Sequence, residues 1–359
     1  MNAALASPKS EWDGISCDFC HKVRKIVKSD SSPSGFKPIL ERQQPARGNT
    51  ILVFGPYDDV SVPPMAASYN SLFEKGQYCS QCHSALRKLK RGKGWDWKKE
   101  YSQAEWKGFG LKNDKVLPVQ TTYQEWKSWQ AGLGKNDPDK GRKCQDCHMS
   151  WRKNMLPFDN NVVDGHVRQM WGTHRSSKTI HPHQFDGGTK TQLKTALSLE
   201  IEGAIRQNML TVNVYITNTN GGHWVPTGEP MRSVMLLVEV KDENDKLIKP
   251  INGQRLPDWT GKGAKAKGNY SGLPGTVFAK VLQDEKGNLN VPFWKATTIA
   301  SDTRIRPKTA VSFKWQFLLE DPESEPTATA TLIYRPAFKK LAESKKWAAN
   351  DIIISQVAW

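Results

Sequence analysis

The sequence predicts an α+β chain of two domains: a loop-rich, partly helical domain over residues 1–190 and an antiparallel β-sandwich over residues 191–359. Three observations predict it. All six cysteines, seven of eight histidines and eight of fourteen tryptophans fall in the first part, where no sustained hydrophobic periodicity accompanies them. Turn-forming runs such as Ser31-Ser32-Pro33-Ser34-Gly35 and Asn136-Asp137-Pro138-Asp139-Lys140-Gly141 break that part into short pieces. The second part alternates apolar and polar residues in short runs separated by turns, the pattern of a sandwich. A length of 359 residues is enough for two such domains.

Two helices are readable in the first part. One runs from Pro64 to Tyr78 and leads into Cys79. The other opens on Thr122-Tyr123-Gln124-Glu125, a capping box, and runs to about Ala131 before Gly132 and Gly134 stop it. In the second part Leu210, Val212, Val214 and Ile216 alternate with polar residues, and Val234 to Val240, Val311 to Leu319, Thr327 to Tyr334 and Ile352 to Val357 are further strand-like runs. Asp242-Glu243-Asn244-Asp245 and Asp284-Glu285-Lys286-Gly287 are the turns between them. A helix is expected from about Pro336 to Ala349, and Gly261 to Gly268 reads as a mobile basic loop. No cofactor motif lies here, so the second domain reads as a mount or docking module.

The cysteines carry the chemistry. They form three Cys-x-x-Cys-His elements: Cys17 to His21, Cys79 to His83 and Cys144 to His148. This is the attachment spacing of a c-type haem, in which Cys17, Cys20, Cys79, Cys82, Cys144 and Cys147 bond the porphyrins and His21, His83 and His148 are the proximal iron ligands. Structural zinc needs four ligands and gives no reason for a histidine after each second cysteine. A thioredoxin-like pair needs a βαβ context that is not visible. Six cysteines could form disulfides in fifteen pairings, but the threefold Cys-His adjacency would then be coincidence. The expectation is three covalently bound haem c groups in the first domain.

Haem attachment of this kind is made outside the cytoplasmic membrane. Residues 1–6 lack a basic start and a long apolar run, although Ala4-Leu5-Ala6 reads like the small-x-small end of a signal peptide. The sequence is therefore read as a mature or trimmed exported protein of the periplasm or cell surface, without a transmembrane segment. The formal charge of +16 falls to about +13 with three ferric haems and about +10 with three ferrous ones, once the propionates are counted. Such a charge suits acidic redox partner proteins. No nucleic-acid module is recognisable.

Beyond the proximal ligands five histidines remain: His166, His174, His181, His183 and His223. Five segments in order carry a resemblance. They are Gly14-Ile15-Ser16 with the first attachment element, Gly55-Pro56-Tyr57-Asp58-Asp59, Thr121 to Trp126 leading to Cys144 through Met149, His181-Pro182-His183-Gln184-Phe185-Asp186-Gly187-Gly188, and Gly222-His223-Trp224-Val225-Pro226-Thr227-Gly228. Together, over about residues 14–245, the chain resembles exported multihaem cytochromes c. The resemblance implies electron transfer in respiratory or extracellular chains, mostly through bis-histidine haems. It makes His181, His183 or both distal ligands, with His223 another, pinning the sandwich to the haem domain. His174 and His166 stay in reserve.

Two departures stand out. Similar proteins usually carry a histidine where this chain has Met65, on the helix leading to Cys79. Thioether ligation there would raise the potential of that haem, while the plain alternative is core filling. Similar proteins often also have a fourth attachment site upstream, which this chain lacks. The function expected is a trihaem electron carrier, free or as a subunit of a respiratory or photosynthetic membrane complex or of a self-assembly, and not an enzyme. The alternative is a haem enzyme with one open iron acting on a small nitrogen, sulfur or peroxide substrate.

Overall fold

The computed structural model describes residues 17–29, 32, 34–44, 51–59, 61–62, 65–88, 116–150, 162–163, 166–167, 175–176, 181–183 and 185–359. The chain is mostly β, which corrects the α+β expectation of a partly helical first domain. In chain order the early strands are β1 (Val23–Lys28), β2 (Phe36–Leu40), β3 (Ile51–Gly55), β4 (Ser61–Val62), β5 (Met65–Tyr69), β6 (Ala85–Lys88), β7 (Val116–Gln120), β8 (Val162–Val163), β9 (His166–Val167) and β10 (Arg175–Ser176). The late strands are β11 (Leu197–Arg206), β12 (Met209–Asn218), β13 (Ser233–Lys241), β14 (Leu247–Ile248), β15 (Pro250–Asn252), β16 (Gly275–Gln283), β17 (Thr298–Asp302), β18 (Ala310–Leu318), β19 (Thr327–Arg335) and β20 (Ile352–Ala358). They form two compact units, one holding the described residues to 85 and from 132 to 187, the other 86–88, 116–131 and 188 onward. The segment 116–131, which a division at residue 190 groups with the first domain, belongs to the second unit.

In the first unit β1 and β2 pair antiparallel, with a bulge between Val23 and Lys25. β5 runs parallel to β3, register Ile51 to Met65, and antiparallel to β4. This is where the expected helix from Pro64 to Tyr78 fails. Met65 to Tyr69 extends because Ile51-Leu52-Val53-Phe54 offers a ladder, and β-branched and aromatic residues favour the pleated surface. The rest closes into two 3-10 turns, Ser71–Glu74 and Gly76–Gln81. Asn70 caps the first by accepting from the Leu72 amide at 3.0 Å. Beyond these turns, the helices described here, Cys17–His21 and Cys144–His148, are five residues each.

The second unit is a sandwich of two antiparallel sheets. One has the order β11-β12-β18-β15; the other runs β17-β16-β13-β19-β20, with β14 on β13. β12 buries every second residue, Leu210, Val212, Val214 and Ile216, each fully. They meet Val234, Leu236, Val238 and Val240 of β13, Ala328, Ala330 and Leu332 of β19, and Trp315 and Phe317 of β18 in one core. β13 is buried almost throughout because its other face, Met235 and Leu237, packs on Leu256, Tyr270 and Ile333. Trp315 is fixed by its indole, which donates to Gln254 O at 2.8 Å. Beside it Gly253 adopts φ +119°, and a Cβ there would strike the Trp315 ring, so both backbone and space require glycine.

The helix Thr122–Gly132 forms, but Glu125 does not complete a capping box with Thr122. Its carboxylate turns inward instead, as described below. The expected helix from Pro336 shortens to Lys339–Lys345, ended by Lys346 at φ +54°. The basic stretch Gly261 to Gly268 is tied rather than mobile. Lys265 pairs with Glu239 at 2.5 Å, and Lys339 and Arg335 donate to the carbonyls of Lys267 and Gly268 at 2.8 and 2.6 Å.

Candidate haem-binding centre

A helical turn brings positions one, four and five to one face, which is what two thioethers and one proximal imidazole require. The segments Cys17–His21 and Cys144–His148 are such turns. The second segment reaches the same result through the 3-10 turn Gly76–Gln81, with the amides of Cys82 and His83 both bonded to Cys79 O, at 3.2 and 2.9 Å. All six thiols are free of disulfides.

The imidazoles are set up for a metal. His21 Nδ1 lies 2.6 Å from the carbonyl oxygen of Phe54, and a carbonyl only accepts. Nδ1 therefore carries the proton, leaving the Nε2 lone pair for iron, the arrangement that orients ligating histidines generally. His148 repeats it: its Nδ1 donates to Asp186 O, and the Asp186 amide returns a bond to His148 O at 3.0 Å. The residues present at the first and third segments thus fit covalent haem on the chemistry of their donor sets.

The three segments converge within the first unit. Cys144 beside it raises the Cys79 thiol, and Cys79 in turn lowers the Cys144 thiol, from the ordinary thiol range. Cys144 Sγ also lies 3.8 Å from Gly76 O, and Gln145 Nε2 donates to Phe73 O and Lys75 O at 3.0 and 3.1 Å. Tyr78 donates its hydroxyl to Cys20 O at 2.9 Å. Burial pushes the Cys82 and Cys147 thiols up.

The distal candidates divide. His183 places its ring centroid 5.9 Å from that of His21, the planes at 45°. His181 Nδ1 lies 3.2 Å from Met149 O, and its Nε2 is 3.7 Å from Asp146. Met65 stands on β5 with 47% of its surface exposed. His223 lies in the second unit, its Nδ1 bonded to Trp224 O at 3.0 Å. His174 lies outside the described residues, and so does the His166 side chain.

Around the His223 loop the structure adds a group that sequence reasoning missed. Glu125, Arg304 and Lys280 are buried within the second unit. Glu125 accepts from Arg304 at 2.7 Å, Thr121 at 2.5 Å, Thr227 at 2.9 Å and the Trp224 amide at 3.3 Å. Arg304 also pairs with Asp302 at 2.7 Å, and the guanidiniums of Arg304 and Arg306 lie 4.8 and 5.1 Å from the Trp224 ring. Burial alone would raise the Glu125 carboxyl, but Arg304 and then Lys280 outweigh it and hold it down at about 2. Burial, with Arg304, pulls Lys280 down to about 8, while its ammonium donates to the Pro118 and Val119 carbonyls and to Thr121. The signal available in the sequence was Glu125 itself, a carboxylate set among Tyr123, Trp126 and Trp129.

No protein-family model matches the chain, and no curated relative does. A solved structure does match: a penta-haem cytochrome c552 from Thermochromatium tepidum, with a TM-score of 0.59 over 99% of this chain and 79% of that one. The fold is that of a multihaem cytochrome. At 16% identity the likeness reaches the fold and no further. A structural-genomics target, SoR45, aligns over 45% of this chain at 12% identity with a TM-score of 0.19, too low to bear on it. The cytochrome c552 neighbour is a penta-haem protein. Among the described residues no helix is long and apolar enough to cross a membrane.

Proposed function

We propose that the chain is an exported trihaem c-type cytochrome that carries electrons, taken up and passed on through protein partners of acidic surface. The observation that carries this reading is the approach of the attachment segments: Cys144 Sγ of the third lies 3.8 Å from Gly76 O, in the turn that carries Cys79 of the second. Groups bonded to segments so placed would themselves be neighbours. Bound haem supplies a one-electron ferric/ferrous couple. The chain contributes proximal imidazoles, of which His21 and His148 have their tautomers fixed by backbone carbonyls.

The sixth ligand of the first site is assigned to His183. Two imidazoles on opposite sides of one metal ion stand roughly 6 Å apart between centroids, given metal–nitrogen bonds of about 2 Å. The His21 and His183 rings are 5.9 Å apart. His181, whose Nδ1 faces Met149 O and whose Nε2 lies 3.7 Å from Asp146, is the next candidate. The formal charge of +16 supports acidic partners, whose reduction by this protein should slow as salt rises.

The test is the visible spectrum of dithionite-reduced protein before and after carbon monoxide. The expected result is no change, with all three irons six-coordinate. A shift amounting to one haem would mean an open iron and would replace the carrier reading with chemistry on a small nitrogen, sulfur or peroxide substrate.

A further inference from the structure

Phe73 touches the first and third attachment segments and the residue that precedes the second. Its ring stacks on the His21 imidazole, centroids 5.5 Å apart and planes within 19°. The same ring meets Tyr78 at 4.8 Å and 35°. Tyr78 is covalently joined to Cys79 of the second segment and donates its hydroxyl to Cys20 O of the first. The Phe73 carbonyl accepts from Gln145 Nε2 at 3.0 Å, and Gln145 lies between Cys144 and Cys147 of the third.

The backbone that holds Phe73 is itself fixed. It sits in the turn Ser71–Glu74, capped by Asn70. Asn70 Nδ2 donates in turn to Val23 O and Arg24 O, at 3.2 and 2.9 Å, just beyond the first attachment helix. The backbone at Phe73 cannot shift without breaking bonds to β1 or to Gln145.

An imidazole bound to a metal through Nε2 can still rotate about that bond. The hydrogen bond from Nδ1 to Phe54 O limits the rotation at one point, and a flat ring lying against the imidazole limits its plane. The plane of an axial imidazole sets how the iron d orbitals split in the ferric state, so it is read directly in the electron paramagnetic resonance of that haem.

We propose that Phe73 is a positioning residue that fixes the plane of the His21 imidazole and, through Tyr78 and Gln145, ties it to the second and third attachment segments. The proposal rests on the trihaem reading above. Sequence gives no warning of it, because Phe73 belongs to no motif and lies outside every Cys-x-x-Cys-His element.

The experiment uses holo-protein carrying Phe73→Leu or Phe73→Met, which keep apolar bulk but present no flat face, with Phe73→Tyr as the conservative variant. Mass spectrometry counts haems, the visible spectrum checks coordination, and resonance spectra of the oxidised protein are compared. With three haems retained, the expected result for leucine and methionine is a shift in the largest g value of one low-spin signal, the other two unmoved. Tyrosine should restore the original spectrum. Three unmoved signals in either apolar variant would overturn the proposal, and so would a common shift of all three, which would mean general loosening. Failure of the trihaem reading is separable, since wild-type protein would then carry fewer than three haems by mass.

Discussion

The two units solve the same problem, excluding water, by different means. Among the described residues the first unit buries few apolar side chains of its own: Val23, Ile26, Phe36, Phe54 and Leu72. The second brings Leu210, Val212, Val214, Ile216, Trp315 and Phe317 against Val234, Leu236, Leu332 and their neighbours in a single core. Its two sheets are self-sufficient. The first unit instead gathers six thiols and two imidazoles held by backbone carbonyls, and on the proposed reading large apolar groups bonded to those thiols would complete its core. Where cofactors replace side chains as the core, secondary structure can be short and still be fixed.

The comparison breaks most sharply if the cofactors are withheld. Protein produced without haem attachment should lose protease protection over the first unit, residues 17–85 and 132–187, while the sandwich from residue 188 onward survives as a protected fragment. Limited proteolysis with mass mapping checks this. Equal protection of both units would mean that the first is a side-chain-stabilised domain after all.

A smaller effect tests the sandwich from inside. Glu125→Gln removes the carboxylate facing buried Arg304 and leaves a cation with less compensation, a change that typically costs about 3–5 kcal/mol. The pH dependence follows from the depressed acid. Glu125 titrates at about 2 in the folded state against an ordinary 4.5, so its contribution is complete above 4.5 and is lost as pH falls toward 2. Tryptophan fluorescence of the second unit should show acid destabilisation across that window in wild type and a flatter profile in Glu125→Gln. The first unit's haem bands at neutral pH should not respond. Matching profiles in the two proteins would remove Glu125 as the acid-sensitive group.

What was legible in the sequence divides along the same line. Alternation in Leu210 to Ile216 could be read directly, because a half-buried strand repeats every two residues. The attachment elements were legible because thioether bonding fixes their spacing. The strand Met65–Tyr69 was not: its partner Ile51–Gly55 runs parallel to it, and such pairing leaves no short-range turn signal. Glu125 read as a helix cap because its true partners, Arg304 and Lys280, are more than 150 residues away in sequence. Phe73 was invisible for the same reason, since its meaning lies in what His21, Tyr78 and Gln145 bring to it.

The smallest effect is expected at Met65, where sequence left thioether ligation and core filling open. Its side chain is 47% exposed on β5, between Ile51 of β3 and Val62 of β4 in register. A core residue would be enclosed by its neighbours, and Met65 is not, so Met65→Leu should leave stability within about 0.5 kcal/mol. A redox titration is the sensitive arm, because replacing a thioether ligand with leucine would open an iron or hand it to another donor and lower its potential. A lowered potential at one haem would put Met65 on an iron and show that the first unit closes around its cofactors more tightly than its exposed strand suggests.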